Sequence, residues 1–285
     1  MSREDNIMNT LTRFDPLGDA GLQEPADFDS ALRSEAPLFQ MPNGVYVISR
    51  FEDVQRATLD TDTFSSNLVA IIMSGSGRAE DSQLMEISVG EQQPTDVLAI
   101  ADPPQHTRHR KVTNRAFTLR RVAAMESRIQ ELADSLVDAH VARGGGDWVA
   151  DVAVPLPMTI IVELLGLPVA DIDYLKVLSD SSVATLSGIN TEQQMAEHSS
   201  NVLELLQYMA ERFDEALKAP GDNVLGDLAR ATQEEGDFFT REGVVGMLLQ
   251  LLTAGNESTS SLIGSAMLLM LRDDALQRQL REQPE

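Results

Sequence analysis

Two short segments of this 285-residue sequence carry residue types that could do chemistry. The first runs from Pro103 to Met125. It holds six of the 22 basic residues (Arg108, Arg110, Lys111, Arg115, Arg120 and Arg121), no Asp or Glu, and His106 and His109 beside them. On a helix, His106 and Arg110 would stand one turn apart on one face. An imidazole beside a planar guanidinium suits an anionic carboxylate. The plainer reading of the same residues is a surface helix paired with the protein's own acids. No metal site is expected, because two further ligands would have to come from elsewhere, and His140 and His198 lie in ordinary helical contexts.

The second segment interrupts the most apolar part of the chain. From Gly243 to Leu271 the only charged residue is Glu257, which leaves two charge-free runs of 14 residues on either side. Ala254-Gly255 leaves room beside the backbone for a close approach, and Glu257 is followed at once by Ser258 and Thr259. A buried carboxylate is costly unless paired. One reading gives Glu257 an Arg partner on a neighbouring helix and bonds the hydroxyls back to the preceding turn. The other makes the acid and the hydroxyl a proton-delivery pair facing a bound ligand.

The elements that must position these residues read as mainly α with a small β-hairpin. Phe39-Gln40-Met41 and Val45-Tyr46-Val47-Ile48 flank an Asn43-Gly44 turn, the signature of a hairpin. A short helix is predicted over Phe51 to Leu59, a loop over 67–100, and a helix over 102–118 with Asp102 as its cap. Further helices are predicted over Leu119 to Arg143, Leu156 to Leu165, Thr191 to Lys218 and Asn223 to Glu235, with another start at Asp273-Asp274. The segment 240–272 is predicted as one long helix, about 50 Å at 1.5 Å per residue. No linker divides the sequence, so residues 1–285 are read as a single domain.

Composition excludes several classes. The net charge of −23 should repel nucleic acid and anionic membrane surfaces. Charge-free runs of 14 residues suit a buried core helix better than a membrane span, and the first residues hold no apolar run for a secretory leader, so a cytoplasmic protein is expected. With no cysteine, these residues offer no disulfide, thiolate nucleophile or cysteine-ligated metal.

Taken together, the two segments resemble the bacterial cytochrome P450 family. Asp102-Pro-Pro-Gln-His-Thr-Arg-His-Arg110, continuing to Ala116-Phe117-Thr118 and Arg120-Arg121-Val122, is similar to the family's helix C, and Ala254-Gly-Asn-Glu-Ser-Thr259 is similar to its oxygen-binding helix I. The hairpin, Phe64-Ser65-Ser66, Pro155-Leu-Pro and Glu163-Leu-Leu-Gly-Leu-Pro168 fall in the expected order. The resemblance implies a P450 fold and a haem b cofactor whose propionates His106 and Arg110 contact. It implies that Ala254 and Gly255 form the oxygen-binding kink, and that Glu257 and Ser258 relay protons. Ser258 stands where the family usually has Thr. It further implies an apolar small-molecule substrate, with 67–100 and the region from Asp171 to Lys218 around the pocket. A ferredoxin-type electron donor would dock on the basic face around Arg108, Lys111, Arg115 and Arg121.

The resemblance breaks off at Pro284-Glu285, inside what would be the family's helix J, so the domain is read as C-terminally incomplete. No Glu is followed by an Arg three residues on, and with no Cys the family's iron ligand is not supplied here. A thiolate pushes electron density toward iron and favours O–O cleavage. The isolated chain is therefore expected to be inactive as a monooxygenase. The alternative is a non-catalytic, truncated helical protein that binds a hydrophobic ligand or partner.

Overall fold

The computed structural model describes residues 26–40, 46–67, 98–185, 190–235 and 240–283, which fall into two compact units. One unit takes the chain as far as His109, together with Ala184–Glu197. Its helix α1 (Ala26–Glu35) places Phe28, Ala31 and Leu32 at i, i+3 and i+4, one apolar stripe. Phe28 and Leu32 pack with Phe39, and Ala36 and Val47 close round them. Phe39 lies on β1 (Leu38–Gln40), which pairs antiparallel with β2 (Tyr46–Ile48) in the register Phe39↔Val47. These are the predicted hairpin strands; the Asn43-Gly44 turn lies outside the described residues. Helix α2 (Phe51–Leu59) keeps the predicted bounds, with Glu52 and Asp53 in its first turn where the helix dipole favours acids. Helix α1 has no counterpart among the sequence expectations. Most of the predicted 67–100 loop lies outside the described residues, and 98–100 form a turn.

The other unit takes Arg110–Val183 and His198–Glu285. The division falls inside α3 (Gln105–Ala116), between His109 and Arg110. The helix predicted over Leu119 to Arg143 is two helices, α4 (Leu119–Ala124) and α5 (Glu126–Ala142). Thr118 caps α4 through Arg121 N, and Met125 N–H turns back to Val122 O at 3.1 Å, a tight turn that ends α4 before α5 starts. A π-turn (Val149–Ala153) leads into α6 (Pro155–Leu165). Gly166 ends α6 at φ +85°, and a Cβ there would lie 2.1 Å from Asn223 Nδ2, so both conformation and space demand glycine.

Helix α7 (Ile172–Ala184) follows, then α8 (Glu192–Lys218), whose Leu205, Met209, Phe213 and Ala216 form its buried stripe. Asn223 Oδ1 accepts Gly226 N at 2.8 Å and starts α9 (Val224–Glu235). Thr240 Oγ1 accepts Gly243 N at 3.1 Å and starts α10 (Arg241–Arg272), the predicted long helix. Asp273 caps α11 (Asp274–Glu282) through Ala275 N and Leu276 N, where a new start was predicted. The core of this unit gathers Met158, Val162 and Leu165 of α6, Leu175 of α7, Phe213 of α8, Leu228 of α9 and Leu248 and Leu252 of α10. Among the described residues no helix is long and apolar enough to cross a membrane.

Candidate functional site

Helix α10 is apolar nearly all round, so periodicity alone does not say which face is buried. The structure decides it. Val244, Val245, Met247, Leu248, Leu252, Asn256 and Ser260 are buried, and α6 packs along the helix. Gly255 is the point of closest approach. A Cβ at Gly255 would stand 2.8 Å from Ile161 Cγ1 and 2.9 Å from its Cδ1. The gap predicted at Ala254-Gly255 is therefore filled on the Gly255 side by Ile161 of α6.

Ala254, Glu257 and Ser258 lie at i, i+3 and i+4 and share the opposite, exposed face. Ser261, Leu262, Ser265, Leu268 and Leu269 continue that exposed stripe toward the C-terminal end. Glu257 has no ion-pair partner among the described residues. Ser258 Oγ donates to Ala254 O at 3.0 Å, the back-bond that small hydroxyls make to the preceding turn. An acid and an alcohol thus stand side by side at one point of an apolar helix, with the smallest chiral residue one turn before them.

The same stretch holds a polar set that sequence reasoning passed over. Ser260 Oγ donates to Asn256 Oδ1 at 3.1 Å, both residues buried, and the hydroxyls of Thr253 and Ser182 bond at 3.0 Å, tying α10 to α7. The i, i+4 spacing of Asn256 and Ser260 was the available signal. In an apolar interior each group satisfies the other, which removes the desolvation cost either would bear alone.

On the basic segment, Asp102 does not cap α3 with its side chain. Its carbonyl accepts His106 N at 3.0 Å, while its carboxylate accepts Ser65 Oγ at 2.5 Å and Ser66 N at 2.8 Å. The Ser65 hydroxyl, then the Ser66 amide, hold this carboxyl below the usual aspartate range. His106 is half-buried, His109 is buried, and Arg110, one turn after His106 on α3, is exposed. Two of the four cations predicted to receive an acidic partner are tied to the protein's own acids. Arg115 reaches Glu234 at 3.3 Å, and Arg121 bonds Asp227 at 2.5 Å, Asp222 at 3.0 Å and Ala116 O at 2.8 Å. The Asp227 hydrogen bond, the largest influence on it, raises the Arg121 pKa further. For these two residues the plainer reading holds. Among the described residues no group of three His, Asp or Glu side chains could hold a metal ion.

Comparison with known proteins completes the picture. The chain is 31% identical over 290 residues to a cytochrome P450 of Bacillus subtilis (strain 168), covering 98% of this chain and 68% of that protein. It is 32% identical over 271 residues to cytochrome P450 144 of Mycobacterium tuberculosis (strain ATCC 25618 / H37Rv), covering 94% of this chain and 61% of that one. Among solved structures, cytochrome P450 CREJ, in complex with (4-ethylphenyl) dihydrogen phosphate, superposes with a TM-score of 0.79 at 28% identity, over 92% of this chain and 64% of that chain. The chain thus spans about three fifths of the Mycobacterium relative's length. No family model matches the chain.

Proposed function

The chain belongs to the cytochrome P450 family, and from that premise we propose that it supplies the oxygen-side and edge-binding residues of a haem-thiolate monooxygenase acting on an apolar small molecule. The observation that carries this reading is the open face of α10, where Ala254, Glu257 and Ser258 stand together, one turn apart and exposed. Haem b, when bound, supplies the iron chemistry that binds and reduces dioxygen.

The protein's own residues have distinct tasks in this reading. Ala254 presents no more than a methyl group and leaves space for a small diatomic ligand. Gly255 lets α6 close on the far side through Ile161, which fixes the rotation of α10 and so the direction of Ala254. Ser258 Oγ, held on Ala254 O in the structure, rotates to donate its proton toward the open face. The Glu257 carboxylate exchanges protons with water and restores the Ser258 hydroxyl. A serine lacks the methyl that stiffens a threonine rotamer, so this relay is looser than the family's usual one. His106 and Arg110 hold propionate carboxylates by charge-assisted hydrogen bonds.

The donor set sets a limit. The residues fit the oxygen side and the edge of the cofactor, but 285 residues without a cysteine contain no thiolate for the iron. A polypeptide of these residues alone therefore does not drive O–O cleavage. A ferredoxin-type donor would use the exposed Lys111 and Arg120, not Arg115 or Arg121, whose charges are already matched. Exposed Leu262, Leu268, Leu269 and Leu271 on α10 favour a second reading, a non-catalytic helical protein that takes a hydrophobic partner there.

A haem titration separates the two readings. Added to the purified 285-residue protein and followed by absorbance, haem should bind saturably, about tenfold more weakly in Arg110→Ala and unchanged in Arg121→Ala. The reduced carbon-monoxide spectrum should lack the thiolate signature, and NAD(P)H should drive no hydroxylation. Hydroxylation by this form would overturn the limit set by the missing thiolate, and equal haem affinity in the two variants, or no saturable binding, would overturn the assignment.

A further inference from the structure

The outer groove between α7 and α8 holds chemistry that oxygen activation does not use. Leu203, Glu204, Gln207, Tyr208 and Glu211 recur at three- and four-residue intervals along α8 and line, with Tyr174 of α7, a groove of about 480 Å³, large enough for a small molecule. The two phenol rings meet edge to face, with centroids 5.9 Å apart. Tyr174 Oη donates to Glu204 Oε1 at 2.7 Å, and Tyr208 Oη donates to Asp171 Oδ2 at 2.6 Å.

One of the two rings already carries a cation. The Arg212 guanidinium lies 5.5 Å over the centroid of Tyr208, and its charge is shared with Glu215 at 3.1 Å. Tyr174 is 42% exposed and no cation of the described residues stacks on it, although Glu204 lies within hydrogen-bond distance and Glu211 adds to the field at its hydroxyl. The Glu204 hydrogen bond, with burial and the fields of Glu204, Glu211 and Asp171, pushes the Tyr174 hydroxyl up to about 12. The phenol therefore stays neutral at physiological pH, and its ring keeps the negative face that attracts cations. Carboxylates alone would keep only a loose, hydrated counterion. A ring face beside them favours a cation whose charge is spread over carbon-bearing groups.

We propose that this groove binds a small molecule bearing an alkylammonium group, with the charge beside Glu204 and Glu211, its N-alkyl carbons on the Tyr174 ring, and its apolar part over Leu203. The Arg212 guanidinium is the cation seen stacked on these rings. It occupies Tyr208 and leaves Tyr174 to the ligand.

The sequence has three tyrosines, Tyr46, Tyr174 and Tyr208, so their ring signals in a tyrosine-labelled NMR spectrum report the site directly. Choline is the probe, and its neutral isostere 3,3-dimethylbutan-1-ol the control. Choline should shift the Tyr174 and Tyr208 signals saturably, leave Tyr46 in place, and bind at least about tenfold more tightly than the alcohol. Glu204→Gln and Tyr174→Leu, both at exposed positions, should each weaken choline about fivefold or more while circular dichroism stays unchanged. Equal response to choline and the alcohol, equal shifts at Tyr46, or an unchanged affinity in folded Glu204→Gln would overturn the proposal.

Discussion

The face of α10 that carries Gly255, Asn256 and Ser260 is closed by α6 and by its own buried hydrogen bond, while the face that carries Ala254, Glu257 and Ser258 opens outward from the same two turns of helix. Neighbours in sequence therefore do opposite work. Gly255 is small so that a side chain of the protein can come close; in the proposed function Ala254 is small so that something else can. The basic segment repeats the contrast. Arg121 is consumed in three bonds within the protein, whereas Arg110 is exposed. Residue type tells what a position can do, and the opposing element tells whether it is already doing it.

The sharpest way to break this contrast is to fill both small positions. Gly255→Leu forces atoms into the space of Ile161 and should cost about 3 kcal/mol. Ala254→Leu, on the open face, should stay within about 0.5 kcal/mol of the parent. Urea unfolding of the two variants measures the difference, and equal losses would remove the distinction between the faces.

A smaller effect is expected on the basic segment. Arg121→Ala strips partners from Asp227 and from Ala116 O and should cost about 2 kcal/mol. Arg110→Ala should change stability by less than about 0.5 kcal/mol, its loss appearing in haem affinity instead. Urea midpoints that fall together for both variants would mean that Arg110 is a structural residue too.

The smallest effect is confined to acid. The Asp102 carboxyl is held below its ordinary value of 3.8 in the folded protein, chiefly by Ser65. The folded form then binds fewer protons than the unfolded one, so this stabilisation is complete above about 4 and fades as pH falls through the lower folded value. Asp102→Asn removes the titration. Its urea midpoint should fall less steeply than the parent's between about pH 5 and pH 3, and parallel acid limbs would show that the Ser65 and Ser66 bonds carry no net stability.

Much of the architecture was legible because its signals are local. Two strand-forming runs, the Thr240 and Asp273 caps, and the helix-ending Gly166 act over three or four residues, and the structure places elements accordingly. Local signals also misled. Asp102 before two prolines reads as a side-chain cap, yet its carboxylate serves Ser65 and Ser66, 37 and 36 residues earlier in the chain. The run from Leu119 to Arg143 keeps a helical period across Met125, where the chain turns. Helix α1 was missed because its apolar stripe is short, and its meaning depends on Phe39 and Val47 of the hairpin.

From the sequence by itself came the hairpin and most of the helices, the two chemically marked segments, the absence of any cysteine and the likeness to a family, since each of these is written in residue type and spacing. Only the tertiary structure decided that Ile161 fills the gap at Gly255, that Asp222 and Asp227 claim Arg121 from 101 and 106 residues away, and that Tyr174 and Tyr208 meet across α7 and α8. A helix that is apolar all round has no periodic signal to orient it, and a charge or a ring chooses its partner by distance in space, which spacing along the chain does not encode.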